Sequence, residues 1–133
     1  MAEAILDSSA VLALLRGEPG ADRIRRVIAR SLLCSVNLTE VIGKLIERGA
    51  PASAAVQIAR SLPYQVVPYD EDLASDAGVL WGETRASGLS LGDRACLALA
   101  RREGLPALTT DQRWARETVG VDVQLIRPGG PNA

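Results

Sequence analysis

Four acids stand where short apolar runs give out or where helical patterns begin. Ile5-Leu6-Asp7-Ser8-Ser9 places a carboxylate directly after an apolar run, and Leu108-Thr109-Thr110-Asp111 does the same late in the chain. Val36-Asn37-Leu38-Thr39-Glu40 and Ser90-Leu91-Gly92-Asp93 each add an acid in the first turn of a helical pattern. In an open parallel sheet, the crevice outside the carboxyl ends of the strands gathers side chains from distant points of the sequence. Asp7, Glu40, Asp93 and Asp111 are therefore the candidate catalytic residues. Two carboxylates about 5 Å apart repel by roughly 3 kcal/mol at an effective dielectric near 20. A cluster of them is tolerated when some members take up protons or a divalent cation neutralises them. Oxygen ligands with no His or Cys favour Mg2+, with Mn2+ as the alternative, over zinc. Such cations, held by a few carboxylates plus water and substrate phosphate, suit phosphodiester hydrolysis. The chain contains no His, which removes the commonest general base and leaves acid-base work to carboxylates and metal-bound water.

Helix capping competes with this reading. Asn37 with Glu40 and Ser90 with Asp93 have the spacing of capping boxes, and Asp111 has the place of a plain N-cap. Capping does not account for Asp7, because Ser8 or Ser9 would cap the following helix unaided. Nor does it account for all four acids falling on one side of the expected sheet. A second acidic group, Asp70, Glu71, Asp72 and Asp76, reads as the charged start of a helix favoured by its dipole, and is left out of the site.

The elements that must position these acids are legible as an alternation. Ala4-Ile5-Leu6, Leu32 to Val36, Gln65 to Pro68, Pro106 to Thr109 and Val121 to Ile126 read as strands, with helical patterns between them. Apolar runs without polar alternation are the mark of strands buried on both faces, so the pattern predicts an α/β fold, a parallel sheet with helices on both sides. The clearest helix follows Asn37, with Leu38, Val41, Ile42, Leu45 and Ile46 on one stripe, and stops at Gly49 and Pro51. Further helices are expected from Ala52 to about Ser61, within Asp70 to Ser87, and from Ser90 to near Gly104. Gly17, Pro19 and Gly20 separate the first helix from its successor. The chain reads as one domain, residues 1–127, with a flexible tail over 128–133.

Composition narrows the function further. At 133 residues and 47% hydrophobic, the chain is long enough to bury its own core. Aromatic residues are 3% of the total and Phe is absent, which argues against base-stacking platforms. A net charge of -1 argues against a broad basic surface but leaves room for a local basic rim. Nearly every cation is Arg, Lys44 being the one Lys. Cys34 and Cys96 lie in apolar runs without Cys or His neighbours and read as reduced core residues. The start, Met1-Ala-Glu-Ala-Ile-Leu-Asp7, lacks a basic then apolar leader, and no apolar stretch approaches the roughly 20 residues of a membrane span. A soluble, cytoplasmic protein is expected.

Taken together, Asp7-Ser8-Ser9-Ala10, Asn37-Leu38-Thr39-Glu40, the run from Gly88 to Ala100, and Leu105-Pro106-Ala107-Leu108-Thr109-Thr110-Asp111 resemble PIN domains, in particular the VapC toxins of bacterial toxin-antitoxin pairs. The resemblance spans nearly the whole chain with its motifs in the family's order, and the run from Ser90 to Ala100 is the most specific part. It implies a three-layer α/β/α fold around a central parallel sheet of about five strands. It also implies a Mg2+-dependent endoribonuclease whose acidic quartet is Asp7, Glu40, Asp93 and Asp111, with Asp7, Asp93 and Asp111 as metal ligands. Glu40 would bind through water or orient the nucleophile, and Ser9 matches the small hydroxyl residue supporting the site. The products would be a 5′-phosphate and a 3′-hydroxyl, and the implied partners are RNA, a cognate VapB-like antitoxin and a second copy of the chain. One departure is the sequence Gln112-Arg113-Trp114 after Asp111, where many relatives carry Arg directly after the acid, so that Arg113 becomes the substitute. Arg85, Arg94, Arg113 and Arg116 lie within a few residues of the expected mouth and are the candidate RNA contacts; solvated faces or ion pairs with Glu83 and Glu117 are the competing reading. Trp81 and Trp114 are large enough to stack on a base, but Trp81 is expected in the core or a dimer interface. Two alternatives stay open: a binding module whose acids only cap helices, and a phosphatase with Asp7 as nucleophile, which Ser9 disfavours by standing where such enzymes carry a second Asp.

Overall fold

The computed structural model describes residues 1–116 and 119–127, so the expected tail at 128–133 lies outside it. Five strands, β1 (Ala4–Leu6), β2 (Ser31–Cys34), β3 (Gln65–Val67), β4 (Ala107–Thr109) and β5 (Val123–Leu125), form one sheet in the order β3-β2-β1-β4-β5. Every pairing is parallel. The helices among the described residues are α1 (Ser8–Arg16), α2 (Ala21–Val27), α3 (Ser35–Glu47), α4 (Ala52–Ser61), α5 (Glu71–Thr84) and α6 (Leu91–Glu103). None is long and apolar enough to cross a membrane.

Two cores explain why the strands read as unbroken apolar runs. Ile5, Leu32, Cys34 and Ala107 point to one face, where they meet Leu73, Ala77 and Leu80 of α5 and Ala95 to Ala100 of α6. Their neighbours Ala4, Leu6, Leu33 and Leu108 point to the other face, against Ala10 to Ala13 of α1, Ile24 of α2, Val41 of α3 and Ala59 of α4. Successive strand residues alternate faces, so covering both faces demands an apolar residue at every position. Ile5, Leu6 and Leu33 are fully buried, and each such side chain contributes about 1.5–3 kcal/mol. The result is the three-layer α/β/α arrangement. Cys34 and Cys96 are both buried free thiols, and burial pushes both above the usual thiol range.

Chain order places a switch point beside β1. The chain steps outward from β1 through β2 to β3, then returns through α5 and α6 to place β4 on the other side of β1. Loops leaving β1 and β4 therefore diverge, opening a crevice at their carboxyl ends. The backbone N–H of Asp7 donates to the Leu108 carbonyl at 3.0 Å, carrying the β1-β4 ladder to the edge of that crevice.

One boundary differs from the sequence expectation in a way that matters. Helix α3 starts at Ser35 with Cys34 as its cap residue, directly off β2, so Asn37 lies inside the helix and does not cap it. Ile46, expected on the buried stripe, is substantially exposed. Helix α6 follows expectation: Ser90 and Asp93 form a complete capping box, and Gly104 ends the helix in the left-handed conformation that favours glycine.

Candidate active site

Asp7 sits at the end of β1 with only 4% of its surface exposed. Its Oδ2 accepts from the Ser9 hydroxyl at 2.6 Å and the Thr109 hydroxyl at 2.9 Å. Those hydroxyls are held in turn by backbone: Ser9 Oγ accepts from Thr110 N–H and Thr109 Oγ1 from Asp111 N–H, both at 3.0 Å. A short network thus ties the acid after β1 to the segment after β4. Burial is the dominant influence on Asp7 and pushes its carboxyl up to about 7, against the lowering effect of the Ser9 and Thr109 hydrogen bonds; the neighbouring Asp93 and Glu40 charges add to the rise. Thr109 was not among the residues singled out from sequence, although its hydroxyl at a strand end two residues before an acid was the available signal.

Glu40 and Asp93 approach from α3 and α6. Asn37 is fully buried, and its Nδ2 donates both to Glu40 Oε1 at 2.9 Å and to the Gly92 carbonyl at 3.1 Å. The Glu40 carboxylate lies directly on Gly92: a Cβ there would stand 2.6 Å from Oε1 and closer still to Oε2, so any side chain at this position would push the carboxylate away. Asp93, one residue on, gives Oδ2 to the Ser90 N–H at 2.8 Å, while its backbone N–H donates to Ser90 Oγ at 3.2 Å. Among the described residues, no hydrogen bond engages Asp93 Oδ1. A cleft of about 320 Å3 lined by Ser8, Glu40, Gly43, Lys44 and Glu47 opens beside Glu40.

Asp111 completes the group. It is gripped by Arg113, whose Nη2 stands 2.6 Å from Asp111 Oδ2 and whose Nε donates to both carboxylate oxygens at 3.1 and 3.2 Å. The same Nη2 lies 3.6 Å from Asp93 Oδ2. The Arg113 hydrogen bonds hold the Asp111 carboxyl below its usual range, outweighing partial burial. The structure thus brings all four acids to the carboxyl end of the sheet, Asp7 linked to Asp111 through Thr109, and Asp93 to Asp111 through Arg113.

These residues fit a hard divalent cation by chemistry more than by present arrangement. Among the described residues, no three His, Cys, Asp or Glu side chains form a ready chelating group. Asp7 and Asp93 each commit one oxygen within the protein, and Asp111 is paired with Arg113. The remaining donors are oxygens, and Asp7 is a buried acid that forms no ion pair among the described residues, the condition that a nearby cation relieves.

The remaining candidates divide. Arg85 is exposed on the turn after α5. Arg94 donates to the Leu89 carbonyl and lies 4.8 Å over the Trp81 ring, so its guanidinium is already engaged. The side chain of Arg116 and all of Glu117 lie outside the described residues, and Glu83 pairs with Arg101. Trp114 is fully buried and cannot stack on a base; Trp81, expected in a core or interface, is 52% exposed.

The PIN domain family profile matches residues 4–118, and the chain belongs to the PIN domain family. No curated protein sequence matches it. Among solved structures, a chain of the DNA-bound VapBC complex from Salmonella typhimurium superposes with a TM-score of 0.74 at 19% identity, covering 95% of this chain and 99% of that one. The Mycobacterium tuberculosis toxin VapC20, described as cleaving the sarcin-ricin loop, gives 0.72 at 24% identity, covering 95% and 100%. A toxin-antitoxin complex from Klebsiella pneumoniae gives 0.68 at 19%, covering 90% and 95%. At these identities the likeness is one of fold. PIN nucleases generally use divalent metal ions.

Proposed function

We propose that this chain is a divalent-metal-dependent endoribonuclease, with Mg2+ or Mn2+ as its ion, acting as the toxin of a VapBC-type pair. The observation that carries the reading is the meeting of Asp7, Glu40, Asp93 and Asp111 at the switch point of the sheet, with Asp7 buried and, among the described residues, in no ion pair. Structural neighbours that are VapBC toxins, one described as cleaving the sarcin-ricin loop, support RNA as the substrate class and a VapB-like antitoxin as partner. A cytoplasmic homodimer is the form proposed by the same analogy.

Asp7, Asp93 and Asp111 would hold the ion. When bound, it supplies Lewis-acid activation of water and neutralises charge at the scissile phosphate. Glu40, braced by Asn37 and seated on Gly92, orients the attacking water and accepts its proton. Ser9 and Thr109 fix the Asp7 rotamer through Oδ2, leaving its second oxygen out of both hydrogen bonds. Arg85 and Arg113 form the basic rim that meets RNA phosphates, Arg94 serving there only if it leaves Trp81.

The test is cleavage of total cellular RNA by the purified chain with Mg2+, with EDTA, and by Asp93→Asn. Cleavage with Mg2+ that EDTA and Asp93→Asn both abolish is expected, with ends bearing 5′-phosphates; full activity in Asp93→Asn would refute the assignment. A nucleophilic Asp7 is excluded by the same preparation if a fluoro-beryllium phosphate mimic fails to occupy it.

A further inference from the structure

Arg113 is the one basic side chain among the described residues that forms an ion pair with any of the four clustered acids. Its guanidinium reaches three elements at once. Nε and Nη2 hold both oxygens of Asp111 after β4, Nη2 lies 3.6 Å from Asp93 Oδ2 in the first turn of α6, and Nη1 donates to the Gly88 carbonyl at 3.1 Å. Gly88 is held left-handed at φ 68, the bend that turns its carbonyl toward this fork. The planar guanidinium, with five donors, is suited to bridge so many acceptors in one plane, and an ammonium is not.

Two features make the grip reversible. The Arg113 side chain is 49% exposed, so its own charge moves readily into water, while the Asp93 and Asp111 carboxylates it leaves, 12% and 24% exposed, are the groups a cation would then neutralise. It lies against two of the carboxylates a divalent cation would need, Asp111 and Asp93, and a guanidinium and a divalent ion cannot both lie against the same carboxylates without mutual repulsion.

We infer that Arg113 is an exchangeable counter-ion of the acid cluster: it closes Asp111 and Asp93 in the cation-free protein and is released from them when a divalent cation binds. Release places a free, anion-binding fork at the rim of the crevice, so cation loading also creates a phosphate contact. This inference rests on the proposed role of the acids as cation ligands, but not on RNA being the substrate.

The experiment uses the full chain stripped of metal and titrated with Mn2+, free Mn2+ being read by electron paramagnetic resonance, for the wild type, Arg113→Gln and Arg113→Lys. Exchange predicts that both variants bind Mn2+ tighter than wild type by about three- to tenfold, the worth of one multidentate surface ion pair. The lysine variant separates exchange from simple charge, because it keeps the positive charge and loses the fork. Tightening in the glutamine variant alone overturns the inference in favour of a through-space field effect. Weaker binding in both, or no Mn2+ binding in any of the three, overturns it as well. An independent readout is the Arg113 Nε–H signal in nitrogen-15 spectra: protected from solvent exchange in EDTA and released on adding Mg2+ is expected, and protection unchanged by saturating Mg2+ overturns the inference. RNA cleavage by the Mn2+-loaded wild type is scored separately, so a failed nuclease with intact exchange is told apart from the converse.

Discussion

Replacing Asp7 by Asn should make the metal-free protein more stable, and increasingly so as pH rises. Burial lifts the Asp7 carboxyl from 3.8 to about 7, so between those values the folded protein holds a proton that the unfolded chain has lost. Stability from this group is fully present below about pH 4 and is lost as pH rises through 7. A shift of about three units at ~1.4 kcal/mol each sets a ceiling of ~4 kcal/mol at pH 8, of which roughly 2–3 kcal/mol accrues between pH 5 and pH 8. Asn has nearly the same shape, keeps a carbonyl to accept from Ser9 and Thr109, and never ionises. In thermal melts with EDTA, the Tm advantage of Asp7→Asn should therefore widen by about 5–10 °C from pH 5 to pH 8. Adding Mg2+ at pH 8 should raise the wild-type Tm and narrow the gap, because only the carboxylate gains a cation. A gap that is the same at both pH values, or a less stable Asp7→Asn at pH 8, would refute the reasoning. It would mean that the two hydroxyl hydrogen bonds outweigh desolvation and keep Asp7 ionised.

Three further outcomes follow from the same geometry. Gly92→Ala forces the Glu40 carboxylate off its seat, so RNA cleavage should fall about 100-fold; Tm should hold or rise slightly, since Ala is the better helix former by up to ~1 kcal/mol. Thr109→Val keeps shape but removes a donor to Asp7 and the acceptor for Asp111 N–H; chemical denaturation should show a loss of about 1–3 kcal/mol, and the pH at which cleavage sets in should move upward as Asp7 loses a hydrogen bond to its ionised form. Ser90→Ala should cost about 1 kcal/mol through the lost cap yet leave cleavage within a few-fold, because Ser90 N–H still holds Asp93.

Strands β1 and β4 and the acids after them were legible because burial on both faces writes itself as an unbroken apolar run, Ala4-Ile5-Leu6 and Ala107-Leu108-Thr109. The Ser90-Asp93 capping box was legible because it is wholly local. Asn37 shows the limit. Its spacing to Glu40 is that of a capping box, yet the helix begins earlier, and what fixes Asn37 is the carbonyl of Gly92, 55 residues away. Thr109, and the reach of Arg113 to Asp93, escaped for the same reason: these contacts cross the crevice, which no window of sequence contains.

The competition between capping and catalysis also resolves differently than either reading alone allows. Asp93 is a true N3 cap, and the cap uses one oxygen, Oδ2, leaving Oδ1 uncommitted among the described residues. A capping box at the carboxyl end of a parallel sheet fixes the rotamer of its acid for about the stability of any other cap, and the spare oxygen is then aimed without further support. Asp7 follows the same logic with different partners, two hydroxyls binding one oxygen. In both, the hydrogen bonds that look like structural duty are what would orient a ligand. The capping geometry of Asp93 therefore does not count against a role at the site; the combination that would is a capped acid far from the switch point, and Asp93 is coupled through Arg113 to Asp111 at its centre.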